Sequence, residues 1–271
     1  MSLALASAPL AFTPVVTPVA PTAPRTSAPV METVDDLKAL STKLNPTVGY
    51  WNPLSLGETS LGSSYDSEAF IGWLRHAEIK HGRVAMAAFV GFVVQSNVCF
   101  PWKLTGSISH ADIFAAGGPA AQWDALPTAA KLQIFGLIFL LELWGEGATT
   151  LASNGQTHYT KGGKPGYFPT FDLFRETVHP LPLDLWDPLG FTKKLSPERK
   201  EKALLAEINN GRLAQIGIMG MVAASKGLIV PGLDSVGIKP YDGEVMAPFA
   251  AGDSALPFVS EMLGKVGTLG Y

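Results

Sequence analysis

Residues 78–86 read EIKHGRVAM and residues 207–215 read EINNGRLAQ, so one nine-residue pattern occurs twice, 129 positions apart. Five of the nine positions are identical, and each copy carries a glutamate, a second Lewis base three residues later and an arginine. Small residues recur at every third position in both copies: Gly82, Ala85, Ala88 and Gly91, and then Gly211, Ala214, Gly217 and Gly220. Self-similarity of this kind indicates a duplicated structural unit.

A similar turn sequence precedes each copy. Residues 51–56 read WNPLSL and residues 186–191 read WDPLGF. An Asx-Pro pair favours a turn at the start of a helix. The sequence therefore predicts two turn-plus-helix repeats.

The composition favours a membrane protein and excludes several other classes. The chain is 47% hydrophobic and 16% charged, with a mean hydropathy of +0.21. A net charge of −3 gives no basic face for nucleic acid. The single Cys99 excludes an intramolecular disulfide or a thiolate zinc site. We expect that the protein is not an enzyme. Residues 162–164 (GGK) lack the Ser or Thr that follows in a P-loop, and no nucleophile–base motif occurs in the sequence.

Residues 1–31 differ from the rest of the chain. They are rich in Ala, Ser, Thr and Pro, contain only Arg25 as a charged residue, and precede the first acid, Glu32. Such a leader is typical of an organelle transit peptide, and the alternative is a disordered Pro-rich N-terminus. We expect residues 32–271 to form a single domain.

Three segments are long enough for the ~20 residues that cross a bilayer, at about 68–95, 128–150 and 198–224. The sequence thus predicts an all-α membrane protein with three transmembrane helices. Eight basic residues follow the second span: Lys161, Lys164, Arg175, Lys193, Lys194, Arg199, Lys200 and Lys202. Only Lys103 lies between the first two spans, so the 152–202 loop and the N-terminus are expected on the side of synthesis or import.

The spacing inside each motif predicts how the first and third helices pack. Glu78 and His81 lie about 60° apart on a helix, whereas Arg83 is rotated by about 140° from Glu78. A lone charge in hydrocarbon costs several kcal/mol, so each needs a partner from elsewhere. If the two helices cross about a pseudo-two-fold axis, Glu78 meets Arg212 and Glu207 meets Arg83. The small residues supply the groove for close approach.

The remaining Lewis bases are isolated from one another. A bare metal ion needs several converging ligands, whereas Glu78, His81, Glu207 and Asn210 each offer one donor. Such donors suit a cofactor that brings its own equatorial ligands, such as the magnesium macrocycle of chlorophyll. From the residues alone, the alternatives are an axially ligated macrocycle or nothing bound.

The paired motifs and the WDPLG turn resemble the light-harvesting chlorophyll-binding family over about residues 48–230. Residues 75–95 and the segment YDGEVMAPF at 241–249 are most similar to peridinin– or fucoxanthin–chlorophyll a/c antenna proteins of red-lineage plastids, with the dinoflagellate type preferred. The resemblance implies chlorophyll ligation by four residues: Glu78, His81, Glu207 and Asn210. It implies that Arg83 and Arg212 are inter-helix ion-pair partners.

The resemblance also suggests ligands outside the repeat. On the middle helix these are Gln133 and Glu142, although Glu146 competes with Glu142, and Gln133 is alternatively a residue solvated by headgroups. Ala224 stands where green-lineage members carry a further Gln ligand. Gln215 is a candidate substitute, or else a helix–helix hydrogen-bonding residue.

The turns are similar to those that seat carotenoid end rings, which implicates Trp51 and Asn52 in the first turn and Trp186 and Asp187 in the second. Asn52 departs from the more usual Asp. The implied cofactors are chlorophyll a, chlorophyll c and a carotenoid of the peridinin or fucoxanthin type. The implied partners are a photosystem I or II core, other antenna subunits and thylakoid lipids, with no nucleic acid.

The resemblance implies a light-harvesting antenna that passes excitation to a photosystem from the plastid thylakoid membrane, with several spans and a stromal N-terminus. A photoprotective, energy-dissipating member of the same family is one alternative. A small ion or proton transporter using the intramembrane Glu and His is another, but crossed Glu–Arg pairs would lock those charges.

Overall fold

The computed structural model describes residues 32–56, 67–177, 189–191, 194–233, 235–245 and 247–268. Within these ranges the chain is helical, and its only strand-like pairing is an isolated bridge between Lys103 and Ser109. The α-helices are α1 Val34–Leu44, α2 Ser67–Asn97, α3 His110–Ala115, α4 Pro119–Asp124, α5 Thr128–Glu146, α6 Ala148–Ser153, α7 Asp172–Thr177, α8 Pro197–Ser225 and α9 Val259–Thr268. The expected leader at 1–31, and Trp186 and Asp187 of the second turn, lie outside the described residues.

The middle helix ends earlier than its sequence suggests. The expected span runs to residue 150, whereas α5 stops at Glu146 and α6 begins at Ala148. Gly147 between them is extended, with ψ of 123°. The Thr150 hydroxyl lies 2.6 Å from the Trp144 carbonyl oxygen and 2.7 Å from that of Gly147. The Gly147 carbonyl oxygen also accepts from the Leu151 amide, so the Trp144 oxygen is the acceptor that the interrupted helix leaves open and Thr150 satisfies.

The two repeat helices, α2 and α8, cross with their backbones in contact. A Cβ on Gly82 would lie 3.0 Å from the Cα of Gly211, and a Cβ on Gly211 would lie 2.9 Å from the Cα of Gly82. Both glycines are buried. The crossing point therefore coincides with the same position of each motif, and only glycine fits there.

Helix α1 packs near the first half of α8. Its Lys43 Nζ lies 2.9 Å from Glu201 Oε1, and its last residue, Leu44, accepts a hydrogen bond of 3.2 Å from the Asn209 side chain. Leu44 is buried. These contacts hold the N-terminal segment against α8, beside the crossing.

Helix α5 stands away from the crossed pair. It is the one helix of the described chain that is long and apolar enough, by length and composition, to cross a membrane, and only 6% of its apolar window is buried. Along its length it packs extensively against neither α2 nor α8. Its apolar side chains, from Leu132 to Leu143, are mostly exposed.

Both ends of α5 are nevertheless fixed. At its start, the fully buried Lys131 forms an ion pair of 2.6 Å with Asp253, and Thr128 donates a hydrogen bond of 2.5 Å to the same carboxylate. At its other end, Glu142 pairs with Lys80 of α2, and the Trp144 ring stacks on Phe171 at 5.5 Å. The helix is thus held at its ends, with its middle uncovered by protein.

The Lys131–Asp253 pair joins the C-terminal segment to α5 over a wide pH range. Burial raises the pKa of Asp253, but hydrogen bonds from Lys131, Thr128 and the Ala250 amide, and the charge of Lys131, outweigh it and lower that pKa below its ordinary value. A lowered carboxyl pKa contributes stability that persists until the pH falls below about 4. Mild acidification therefore leaves this pair intact.

The close approach of α2 and α8 predicts that a side chain at Gly211 destabilises the protein. We expect Gly211→Ala to force the helices apart and to destabilise the fold by about 1–3 kcal/mol, the usual cost of overpacking. Gly91→Ala is the matched control, because a Cβ there meets nothing within 4 Å. Thermal unfolding followed by circular dichroism measures both. An equal midpoint for the two variants would contradict the backbone contact.

Candidate functional site

Two ion pairs cross between α2 and α8 beside the glycine contact. The Arg83 Nε donates to Glu207 Oε1 at 2.6 Å, and the Arg212 Nε and Nη2 each lie 2.7 Å from Glu78 Oε1. Each arginine therefore reaches the glutamate of the other helix, because the five-residue offset turns it away from its own. The charges within the crossing neutralise one another in pairs.

The two ion pairs differ in their further contacts. Glu78 also pairs through Oε2 with Arg75, a buried residue that in addition lies 3.2 Å from Glu32 Oε2. Arg83 instead donates a second hydrogen bond, from its Nη1, to the Gly166 carbonyl oxygen at 2.6 Å. The repeated motif does not include Arg75, although its position three residues before Glu78 is a helical pairing distance that would predict this contact.

The donor atoms of the repeat suit single-point ligation. His81 is exposed, and its Nδ1 donates to the Ala77 carbonyl oxygen at 2.7 Å, so its Nε2 lone pair remains available. Asn210 is exposed, and neither its side chain nor Glu207 Oε2 has a hydrogen-bond partner among the described residues. Glu78 Oε1 faces two nitrogens of Arg212, whereas its Oε2 accepts from Arg75 alone and keeps a second lone pair.

A bare metal ion does not fit this arrangement. No group of three or more His, Cys, Asp or Glu side chains in the described chain could hold one. Separate donors on outward faces fit a metal whose other ligands belong to a planar cofactor. These residues therefore fit the axial position of a magnesium tetrapyrrole.

The candidates on α5 have different partners. Gln133 is exposed, with no hydrogen-bond partner in the described part of the chain, and Glu142 is exposed but paired with Lys80. Glu146 shares Lys80, whose Nζ lies 3.5 Å from its Oε1, and it also contacts the loop, where its Oε2 lies 2.7 Å from His158 Nε2. Gln215 on α8 is half-buried and has no hydrogen-bond partner among these residues.

The first turn lies near the Glu78–Arg212 ion pair. Asn52 Oδ1 accepts from the Leu56 amide and its Nδ2 donates to the Tyr50 hydroxyl, both at 3.1 Å, while Trp51 is 77% exposed. A cavity of about 500 Å³ extends from this turn to Glu78 and Arg212. The exposed indole and the apolar cavity beside it offer a surface for a rigid apolar ring.

A second polar cluster ties the loop after α6 to α2. The His76 ring stacks on Tyr159 at 3.9 Å, and its Nδ1 accepts from the Gly166 amide at 3.1 Å. Burial and the negative charge of Glu146 raise the pKa of Tyr159 to about 12, so its hydroxyl stays protonated. This cluster fixes the loop that supplies the Gly166 carbonyl to Arg83.

Crossed charged helices with isolated outward donors define a protein that holds planar, metal-centred cofactors. A family model for chlorophyll A-B binding protein matches residues 37–226, and the chain belongs to that family of light-harvesting, pigment-binding proteins. The family expected from the paired motifs is thereby confirmed.

Three similar proteins are fucoxanthin-chlorophyll a-c binding proteins. The chain is 33% identical over 177 residues to fucoxanthin-chlorophyll a-c binding protein D of Macrocystis pyrifera, covering 65% of this chain and 79% of that protein. It is 34% identical over 178 residues to protein F of the same organism, covering 65% and 68%. It is 33% identical over 183 residues to the fucoxanthin-chlorophyll a-c binding protein of Trieres chinensis, covering 65% and 73%.

The crossed pairs predict a specific mutational pattern. We expect Arg83→Leu to strand Glu207 and to lower the free energy of unfolding by about 1–3 kcal/mol, because the two side chains are 34% and 28% exposed and the pair is only partly buried. Glu207→Leu should impair assembly comparably, and the double variant should be less destabilised than the sum of the two, because the pair is coupled. Refolding yield with pigment and thermal stability measure this.

Arg199→Leu is the control for that series. Arg199 is exposed near the start of α8 and has no ion pair in the described chain. Normal assembly of Arg83→Leu, equal to that of Arg199→Leu, would show that the crossed pairs contribute nothing.

Proposed function

We propose that this protein is a light-harvesting antenna that binds chlorophyll a, chlorophyll c and a carotenoid of the fucoxanthin type and passes excitation to a photosystem. The observation that carries the proposal is the uncovered surface of α5, whose apolar window is only 6% buried, together with the single donors that α2 and α8 present. Bound pigments supply the light absorption, and the protein holds them at fixed positions. No bond is made or broken, so the protein is not an enzyme.

The pigments explain how α5 is supported between its ends. A helix in hydrocarbon gains packing energy only from what touches it, and protein covers little of α5. Planar apolar cofactors between α5 and the crossed pair would supply those contacts. Fucoxanthin is preferred to peridinin because the relatives carry it in their names.

The proposed axial ligands of the repeat are Glu78, His81, Glu207 and Asn210. Gln133, Glu142 and Gln215 are proposed as further ligands, with Gln133 and Gln215 favoured by their lack of protein hydrogen bonds among the described residues. Trp51 and Asn52 are proposed to seat one carotenoid end ring. Trp186 and Asp187 are proposed to seat the other by their likeness in sequence.

We further propose that α2 and α8 cross the membrane together with α5, giving three spans in one domain of residues 32–271. Charges in α2 and α8 argue against crossing where they are unpaired. The crossed pairs neutralise two charges on each helix, Arg75 pairs in addition with Glu32, and Lys80 pairs with Glu142. The location is the thylakoid membrane of a plastid, with a stromal N-terminus and with residues 1–31 as the transit segment. The proposed partners are a photosystem core, other antenna subunits and thylakoid lipids.

Light harvesting is favoured over the two alternatives. A quencher switched by acid needs carboxylates that protonate readily, whereas Asp253 is buried in an ion pair that lowers its pKa. A transporter needs mobile charges, whereas Glu78 and Glu207 are each held by arginine from the opposite helix.

Refolding with pigments tests the function directly. We expect the purified chain to recover chlorophyll a, chlorophyll c and carotenoid in fixed ratios, with carotenoid excitation producing chlorophyll fluorescence. His81→Ala should lose about one chlorophyll per protein without unfolding, since an axial ligand is one of many contacts. Val84→Ala, an exposed neighbour on α2, should lose none. An unchanged pigment ratio in His81→Ala would remove His81 from the ligands.

Limited proteolysis tests the topology. Trypsin added to the stromal face of intact thylakoids should cut near Lys193 and Lys194 and spare residues 227–271. Because the Lys131–Asp253 pair could protect the tail by folding alone, permeabilised membranes are the control, in which cleavage after the exposed Lys226 should appear. Cleavage of the tail from the stromal face, with the loop intact, would overturn the proposed orientation.

A further inference from the structure

A second cavity lies at the C-terminal end of α2, away from the first turn and outside the repeated nine-residue motifs. It encloses about 210 Å³ where the end of α2 meets α3 and α4. Its lining is apolar and aromatic apart from a few residues, and it includes Val94, Val98, Phe100, His110 and Trp123. None of these residues takes part in the ligand set proposed above.

Local structure fixes the position of His110. Ser109 caps α3 through a reciprocal pair of hydrogen bonds with Asp112, and Ser109 also bridges to Lys103. The Trp102 carbonyl oxygen then accepts from the His110 amide at 3.4 Å and from its Nδ1 at 2.9 Å. The imidazole is therefore held at both its backbone and its ring.

The hydrogen bond at Nδ1 determines which nitrogen remains free. A carbonyl oxygen can only accept, so Nδ1 carries the proton and Nε2 carries the lone pair. No described residue hydrogen-bonds Nε2. An imidazole whose other nitrogen donates to a backbone carbonyl is the arrangement that orients histidine as a metal ligand.

Two other polar side chains in the cavity lining make hydrogen bonds of their own. Gln122 donates to the carbonyl oxygens of Gln95 and Gly117, each at 2.9 Å. Cys99 Sγ donates to the Phe100 carbonyl oxygen at 3.6 Å. His110 is the only imidazole in the cavity lining, and no group of three or more His, Cys, Asp or Glu side chains in the described chain surrounds it, so a bare metal ion does not fit here, whereas a metal that carries its own equatorial ligands does.

The surroundings suit a flat apolar ligand. Phe100 and Trp102 stack at 4.6 Å, and His110 meets both rings edge-on at 5.5 and 6.1 Å. Phe100 is 46% and Trp102 57% exposed, as for aromatic residues at a membrane interface. The cavity is smaller than the ~300–1,000 Å³ of typical ligand pockets, so it would take one edge of a macrocycle whose remainder lies on the exposed Val98 face.

From this geometry we infer that His110 Nε2 is the axial ligand of a further magnesium tetrapyrrole, bound where α2, α3 and α4 meet. The inference rests on the proposed pigment-binding function. It assigns to the segment between α2 and α5 a pigment that the duplicated helices do not predict.

A pair of substitutions separates the ligand atom from the structural one. In His110→Asn the amide nitrogen takes the place of Nδ1 and can keep the Trp102 hydrogen bond, while the ligand atom is lost. In His110→Gln the amide oxygen takes the place of Nε2 and can still ligate magnesium. Ser107→Ala, in the same loop and outside the cavity lining, is the control.

Each full-length variant is refolded with chlorophyll a, chlorophyll c and carotenoid, and its pigments are counted after purification. We expect His110→Asn to lose about one chlorophyll per protein, and His110→Gln and Ser107→Ala to keep the wild-type ratio. A wild-type ratio in His110→Asn overturns the inference. If His110→Asn does not refold, His110→Gln decides, because loss of a single chlorophyll there assigns His110 a merely structural role. Failure of the wild-type chain to bind any pigment would instead reject the proposed function.

Discussion

The backbone contact between Gly82 and Gly211 is the constraint on which the rest of the structure depends. It brings α2 and α8 close enough for Arg83 and Arg212 to reach the glutamates of the opposite helix. Without that contact, Arg83, Arg212 and Glu207 would lose their partners on the opposite helix, and Glu78 would keep only Arg75. The ion pairs in turn direct the free donors of the repeat away from the crossing, towards the space that protein does not fill.

That space is bounded by a third helix fixed in a different way. Helix α5 is held at one end by the buried Lys131–Asp253 pair and at the other by Glu142 with Lys80. Ion pairs thus fix the positions of α2, α5 and α8, a three-helix frame, while most apolar side chains of α5 are not covered by protein. Such a frame is well suited to a protein whose volume is shared with its cofactors, and it explains why a chain with few buried side chains still has defined helix positions.

The sequence predicts the part of this frame that is duplicated. The repeated Glu, Gly and Arg positions imply the crossing and its partners because the offset within one motif forbids a local pair. The sequence does not predict the contacts that reach segments outside the duplication. Lys80 on Glu142 and Lys131 on Asp253 each depend on tertiary placement, and the second joins residues 122 positions apart. The predicted end of the middle helix, at residue 150, was also wrong by four residues. The extended Gly147 and the Thr150 hydrogen bond that end it leave no periodic pattern in the sequence.

The additional guanidinium on Glu78 breaks the symmetry of the duplication. Glu78 lies between Arg75 and Arg212, whereas Glu207 is paired with Arg83 alone in the described chain. A macrocycle on Glu78 would therefore lie beside a different set of charges, Arg212 and Arg75 with its partner Glu32, from one on Glu207, and charges near a pigment tune its electronic levels. Two sites that descend from one ancestral helix would then absorb at different energies. In that way a single buried arginine would make the two halves of an otherwise two-fold frame inequivalent for excitation.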